Sequence, residues 1–253
     1  MTQPLPLSVQ LYSLREAAAQ DFIGVLKAVA AIGYPAVEFA GLHGRSAREI
    51  KRVIDDLGLK VSSAHVPLFD SSKHAQIEED AAALGVKHLV GGFGAKDFES
   101  PEAIRAAADK TNATIAHFAP KGYKVHLHNH EWEFNGPNKG DLLLELAPQA
   151  CAQLDVYWIK VAGANPAEVI QRYRKRVHLI HIKDGPADPK DRTLPMTAVG
   201  QGTVNIPDVV RAAEYAEVEY LIVELDRCAT DMLQAVRESY EYMTRRSLAR
   251  GNR

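Results

Sequence analysis

The chain has 253 residues, 46% of them hydrophobic and 25% charged, and carries a formal net charge of -2 at pH 7. That length fits one large α/β barrel or, less comfortably, two small domains, and it is ample for a sizeable core. The near-neutral balance excludes a global field drawing the protein to nucleic acid or an anionic membrane. The two cysteines, Cys151 and Cys228, exclude a disulfide framework and suit a reducing cytoplasm.

The N-terminal stretch has no basic n-region, so no signal peptide is expected. No run approaches the ~20 apolar residues that a membrane span needs. Strand-like runs are read at Leu7–Tyr12, Ala36–Phe39, Lys60–Ala64, His88–Gly91, Lys124–Leu127, Ala152–Val156, His178–Ile182 and Tyr220–Leu225. Helical stretches separate them. Phe22–Ile32 carries its apolar residues on one stripe and stops at Gly33. Ser46–Leu57 opens with a capping box, Ser46 with Glu49 three residues on. His74–Leu84 ends at Gly85, Pro101–Phe118 has Ser100 as its cap, and Asp231–Ala249 is the last helix. Eight alternations predict a single (β/α)₈ TIM barrel over residues 1–253, with a doubly wound open sheet as the alternative. Gly91-Gly92-Phe93-Gly94 reads as a glycine turn at the mouth in preference to a phosphate cradle.

In such a barrel, chemistry sits at the C-terminal strand ends, on the residues that point inward. The fifth strand runs into His126, His128 and His130, with Glu133 just beyond. The sixth ends in Asp155, the seventh carries His181 and Lys183, and the eighth carries Glu224 and Asp226. Four adjacent strands thus end in residues able to bind a metal. Imidazole with carboxylate suits Mn²⁺, Zn²⁺, Co²⁺ or Fe²⁺ better than Ca²⁺ or Mg²⁺. Taken singly, each residue has a plainer role: a wall histidine, a turn cap at Asp155, or a Lys183–Glu224 ion pair. Their shared position favours one ion held by His128, Asp155, His181 and Glu224. Glu38 and His65 end the second and third strands and could bind hydroxyls, as could His130. Trp158 and Trp132 could wall a sugar face.

These residues, in order and spacing, resemble the xylose isomerase-like TIM-barrel superfamily of sugar phosphate isomerases and epimerases. The resemblance rests on Val9-Gln10-Leu11-Tyr12-Ser13, His128-Asn129-His130 with Glu133-Phe134, Leu154-Asp155-Val156-Tyr157-Trp158, His181-Ile182-Lys183-Asp184-Gly185, Val199-Gly200-Gln201-Gly202 and Val223-Glu224-Leu225-Asp226. It implies one Mn²⁺-like ion and a small carbohydrate substrate. Members typically bind the ion through Glu, Asp, His and Glu. Asp155, His181 and Glu224 match the last three, while His128 stands where many members have the first Glu. In ketose epimerases of the group, two metal-binding carboxylates also move the proton, and here one of that pair is replaced. The expected chemistry is therefore sugar isomerisation or epimerisation through an enediolate, with Glu224 and Glu133 as bases and Lys183 steadying charge. The nearest rival is a dehydratase or keto-glycoside lyase. An abasic-site endonuclease and a non-catalytic binding barrel are weaker ones. The sequence leaves the oligomeric state open.

Overall fold

The computed structural model of the protein describes residues 3–136 and 139–252. Eight parallel strands close into a barrel in chain order. They are β1 Leu7–Gln10, β2 Ala36–Ala40, β3 Lys60–His65, β4 His88–Gly91, β5 Lys124–His128, β6 Cys151–Asp155, β7 Val177–Ile182 and β8 Tyr220–Val223. The open-sheet alternative is excluded, because β8 pairs with β1 through Leu7 and Leu221. Among the described residues the helices are α1 Arg15–Ile32, α2 Ala47–Asp56, α3 His74–Leu84, α4 Pro101–Phe118, α5 Lys139–Leu146, α6 Val156–Val161, α7 Pro166–Arg172, α8 Ile206–Ala213 and α9 Met232–Arg245. None of them is long and apolar enough to cross a membrane.

Local chemistry sets the helix boundaries. Ser46 Oγ accepts from Glu49 N at 3.2 Å, and Ser100 Oγ from Ala103 N at 3.2 Å, so both predicted caps form. α1 starts earlier than the apolar stripe implies, because the alanine-rich turn before it is also helical. The break falls at Asp21, whose backbone is non-helical and whose carboxylate accepts from Gly24 N at 2.8 Å. Asp21 thus caps the predicted Phe22 helix inside a longer one. The short helices α6 and α7 carry too few turns for a periodic stripe, which is why the residue pattern does not announce them.

The main core lies between strands and helices, where Leu7, Val37, Ile180 and Val223 are fully buried with Leu26, Val29, Ile50 and Phe118. Inside the barrel, Val90, Leu179 and Ile222 form a separate apolar cluster. Two register irregularities shape the interior. Opposite β6, the pairing passes from Ala152↔Val177 to Gln153↔Leu179 and skips His178. Between β2 and β3 it skips Ser62. Such bulges re-aim side chains. Gly92 marks a close backbone approach: a Cβ there would sit 3.0 Å from the carbonyl oxygen of His128. The Gly94 amide is taken by Asp97, at 2.9 Å, so this segment is the expected glycine turn.

Candidate active site

The C-terminal ends of the strands open on a cavity of about 730 Å³. Gln10, His65, His128, His130, Lys183, Glu224 and Asp226 line it, with Trp132, Trp158 and Arg192 contributed by loops and α6. A second cavity of about 430 Å³ runs outside the barrel past α2 and α3. Of the predicted site residues it touches only His65.

Below the mouth, Glu38 anchors a fully buried polar layer. Its Oε1 accepts from Gln10 Nε2 at 2.7 Å and from His181 Nε2 at 2.5 Å. Its Oε2 accepts from Gln153 Nε2 at 2.6 Å and from the Ser63 hydroxyl. Burial would raise its pKa, but the charges of His181 and His65 outweigh that and hold it well below the usual carboxylate range. With every lone pair engaged and no exposure, Glu38 does not face the cavity. Glu38, expected to bind hydroxyls, thus hydrogen-bonds His181 from beneath and is not among the residues that line the mouth.

Gln153 Oε1 accepts from His65 Nε2 at 2.7 Å and His128 Nδ1 at 3.0 Å. This network gives His128 a protonated Nδ1 and leaves Nε2 as its lone-pair nitrogen. Burial and the neighbouring cations keep His128 well below the usual histidine range. His130 is lowered to about 4, chiefly by burial and then by Lys183. Both are neutral bases at pH 7.

Asp155 has two jobs. Its Oδ1 accepts from Tyr157 N at 3.0 Å and Trp158 N at 3.1 Å, capping α6. Its Oδ2 faces Lys183 Nζ at 3.0 Å. The Lys183 ammonium also meets Glu224 Oε2 at 2.9 Å and Asp226 Oδ1 at 2.9 Å. Burial would lower its pKa, but Asp155, Glu224 and Asp226 raise it well above the usual lysine range. His181 bridges Glu38 and Glu224, with Nδ1 2.6 Å from Glu224 Oε2. Glu224 and Glu38 overcome burial and raise it to about 10.

The predicted metal residues His128, Asp155, His181 and Glu224 do not converge as one set but fall into two overlapping groups, the second joined by His65, each with ligand atoms within 4.8 Å of one another. One is Asp155, His181 and Glu224; the other is His65, His128 and His181. Asp155 Oδ2, His181 Nδ1 and Glu224 Oε2 are buried without a hydrogen bond among the described residues; they meet their neighbours only as ion-pair contacts. Four carboxylates (Glu38, Asp155, Glu224 and Asp226) face three basic groups, His181, Lys183 and, 3.4 Å from Glu38, His65, so acidic groups outnumber basic ones. The donor set and this excess both fit a divalent ion.

Glu133 is placed elsewhere. Its Oε2 accepts from His130 N at 3.0 Å. It lines a small apolar cavity with Phe93, Leu127, Phe134 and Leu143, and does not line the mouth. Burial raises its pKa well above the usual range. The 3₁₀ turn Glu131–Glu133 tucks the carboxyl back under its own backbone, which strand alternation alone does not foresee.

Arg192 belongs to none of the strand-end motifs, yet it lines the mouth. It lies over Trp132 and Trp158, 5.4 and 5.1 Å from the ring centroids, and pairs with Glu131 at 2.8 Å. It sits on the long loop after β7, where no periodicity reports position. Gln10 and Gln153 were legible only by their inward parity on β1 and β6. Asp184 has a structural duty. Its carboxylate accepts from the amides of Gly185, Gly200, Gly202 and Val204 at 2.8 to 3.0 Å. A Cβ on Gly202 would fall 2.2 Å from Asp184 Oδ1. The Asp184-Gly185 and Gly200-Gln201-Gly202 motifs are therefore two halves of one clamp that shapes the loop over the mouth.

Residues 26–246 match the family model described as xylose isomerase-like TIM barrel. No curated protein matches the chain significantly in sequence. Three similar folds illustrate the range of solved structures. A sugar phosphate isomerase/epimerase from Parabacteroides distasonis is 23% identical, with TM-score 0.80, over 98% of this chain and 96% of its own. A probable 3-DHS dehydratase of Bacillus anthracis is 16% identical, with TM-score 0.75, over 95% and 99%. A xylose isomerase-like TIM-barrel protein from Mycobacterium smegmatis, in complex with magnesium, is 17% identical, with TM-score 0.71, over 98% and 100%.

Proposed function

The chain belongs to the xylose isomerase-like TIM-barrel family, and from that premise we propose that it isomerises or epimerises a sugar, keto-sugar or related polyol through an enediolate. The observation that carries this reading is the buried convergence of Asp155, His181 and Glu224 beside Lys183. A divalent ion held by Asp155, His181 and Glu224, Mn²⁺ by preference and otherwise Zn²⁺, Co²⁺ or Fe²⁺, supplies Lewis-acid polarisation of a substrate carbonyl when bound. Glu224 takes the proton from the carbon beside that carbonyl. Lys183 donates to the oxygen on which charge develops, and Asp226 and Asp155 hold the ammonium in place. Glu38 fixes the tautomer of His181. His65, His128 and His130 offer polar partners to hydroxyls, and Trp158 with Trp132 walls the C–H face.

A second reading, elimination of a β-substituent from the same enediolate, is favoured by one observation. Glu133 lies behind the wall and His128 replaces the fifth-strand carboxylate, so Glu224 has no carboxylate counterpart from β5. Proton transfer on a single face suits isomerisation or elimination better than epimerisation. The test is exchange of carbon-bound hydrogen with D₂O, read by NMR, over a panel of ketoses, aldoses and keto-sugars. Exchange should require added Mn²⁺ and vanish in chelator, and the products separate isomer from eliminated sugar. Full exchange in strong chelator would sink the metal-dependent reading. So would metal-dependent incision of an abasic DNA duplex at ordinary enzyme rates with no sugar turned over.

A further inference from the structure

The N-terminal floor of the barrel carries a second cluster of ligating side chains that the mouth chemistry does not use. His126, Cys151 and His178 each offer a ligand atom, all within 4.8 Å of one another. His88 joins them, its ring centroid 5.0 Å from that of His126 and 6.2 Å from that of His178. Strand alternation would turn His178 away from the interior side that Leu179 and His181 define. The skipped register position opposite β6 brings it to the floor instead, with its ring centroid 5.5 Å from that of His126. Leu179 and Ile222 of the interior apolar cluster precede His181 and Glu224 by two residues along the chain, so the floor and the mouth are separate sites.

The hydrogen bonds fix the tautomers. His88 Nε2 lies 3.2 Å from Glu219 Oε2, and a carboxylate only accepts. His88 therefore carries its proton on Nε2 and presents Nδ1 as a lone pair. That lone pair, 2.9 Å away, accepts from His126 Nε2. His126 Nδ1 is then a bare lone pair inside a fully buried side chain. It makes no hydrogen bond of normal geometry among the described residues, and neither does the buried Nδ1 of His178. A carboxylate–imidazole–imidazole chain ending on an unpartnered nitrogen is the arrangement that orients a metal ligand from behind.

We propose that His126, Cys151 and His178 form a second divalent-metal site on the floor of the barrel, with His88 and Glu219 as orienting residues and Zn²⁺ as the class of ion it takes. Two imidazoles and a thiolate are a borderline-soft set, matched to Zn²⁺ or Co²⁺ and not to Mg²⁺ or Ca²⁺. Binding replaces the S–H bond of Cys151 by a metal–sulfur bond, and the proton leaves to solvent. Cys151 is partly exposed, which gives the ion a path from the floor. The nearby cations are Lys124, already paired to Glu219 at 2.8 Å, and Arg176, whose guanidinium donates to the carbonyls of Leu144, Ala147 and Ala150.

The test uses the full chain, reduced and freed of metal, with Co²⁺ alone or Zn²⁺ alone as probe. Co²⁺ should produce a thiolate-to-cobalt charge-transfer band, which the mouth ligands, having no sulfur, cannot give. The band should persist in Cys228→Ser and disappear in Cys151→Ser. In the wild-type chain, Zn²⁺ should slow alkylation of Cys151 by at least ~10-fold, read by peptide mass spectrometry, because a ligated thiolate no longer attacks. No band at saturating Co²⁺, a band that survives Cys151→Ser, or a Zn²⁺-independent alkylation rate would each overturn the proposal. The alkylation arm uses the wild-type chain, so it decides the matter even where a variant fails to fold.

Discussion

His181 at the mouth and His126 at the floor are equally buried, with no exposed surface, yet their surroundings drive them to opposite charge states. For both, burial is the largest single influence and favours the neutral ring. At His181 the carboxylates of Glu224 and Glu38 reverse it and raise the pKa to about 10. At His126 the neighbours are His88, His178 and Lys124, all opposing charge, and the pKa falls well below the usual range. Burial alone therefore does not say what a barrel histidine does; the sign of the charges on the flanking strands does. The mouth is a negative basin with a lysine in it, and the floor is a neutral imidazole cluster.

The sharpest way to break that contrast is to remove the mouth cation. Lys183 is essentially buried and bonded to three carboxylates. Lys183→Met should destabilise the chelated protein by about 3–5 kcal/mol, the cost of stranding buried charge. Added Mn²⁺ should return part of it. Lys124→Met on the floor, whose ammonium is well exposed, should cost no more than ~1 kcal/mol. Urea unfolding curves measure both. Equal losses would mean that the mouth carboxylates are protonated and that the negative basin is wrong.

Next in size is the loss of the base. Glu224→Gln keeps the shape and one oxygen but not the basicity, and should slow D₂O exchange by at least ~10²-fold, equivalent to about 2.7 kcal/mol of barrier. The comparison must be made on metal-loaded enzyme of measured occupancy. Wild-type exchange in a loaded variant would leave Glu224 as a ligand only and move the base to His130 or Lys183.

The mouth was far more legible in the sequence than the floor. Asp155, His181, Lys183 and Glu224 stand at or just past strand ends with inward parity, and alternation brings them beside one another. The strands were legible because they are short apolar runs at regular spacing, and closure of the sheet followed from their number. Glu133 was misplaced because a 3₁₀ turn intervenes after β5, and Glu38 because nothing in an extended pattern tells a cavity-facing carboxylate from one consumed beneath it. His178 was opaque for a related reason. Its role depends on a register skip, which changes facing without changing composition.

The smallest effect separates the two ends by acid. For the floor histidines the folded pKa lies below the unfolded value near 6.5. The unfolded chain therefore takes up protons that the folded chain refuses. Stability contributed by these groups is complete above pH 6.5 and is lost as pH falls from there towards the folded pKa values. The limiting slope is about 1.4 kcal/mol per pH unit for each histidine. The groups facing them are Cys151, Lys124, Glu217 and Glu219; burial raises the Cys151 thiol, and the Lys124 ammonium outweighs burial to lower the Glu219 carboxyl, so neither of these two changes charge between pH 6.5 and 5. His178→Gln retains size and a donor but cannot titrate, and it removes one of the three contributions. His178 keeps more solvent contact than His126, so its share should be under about 1 kcal/mol at pH 5. In chelator, the stability of His178→Gln should therefore fall less than that of wild type between pH 7 and pH 5. Because His181 has its pKa raised to about 10, it stays protonated in the folded chain throughout this range: its contribution grows as pH falls from 10 towards 6.5, is complete below that, and so adds little slope between pH 7 and pH 5. Identical wild-type and His178→Gln slopes would show that His178 is not held neutral by the fold, and would remove the contrast between the two ends at that residue.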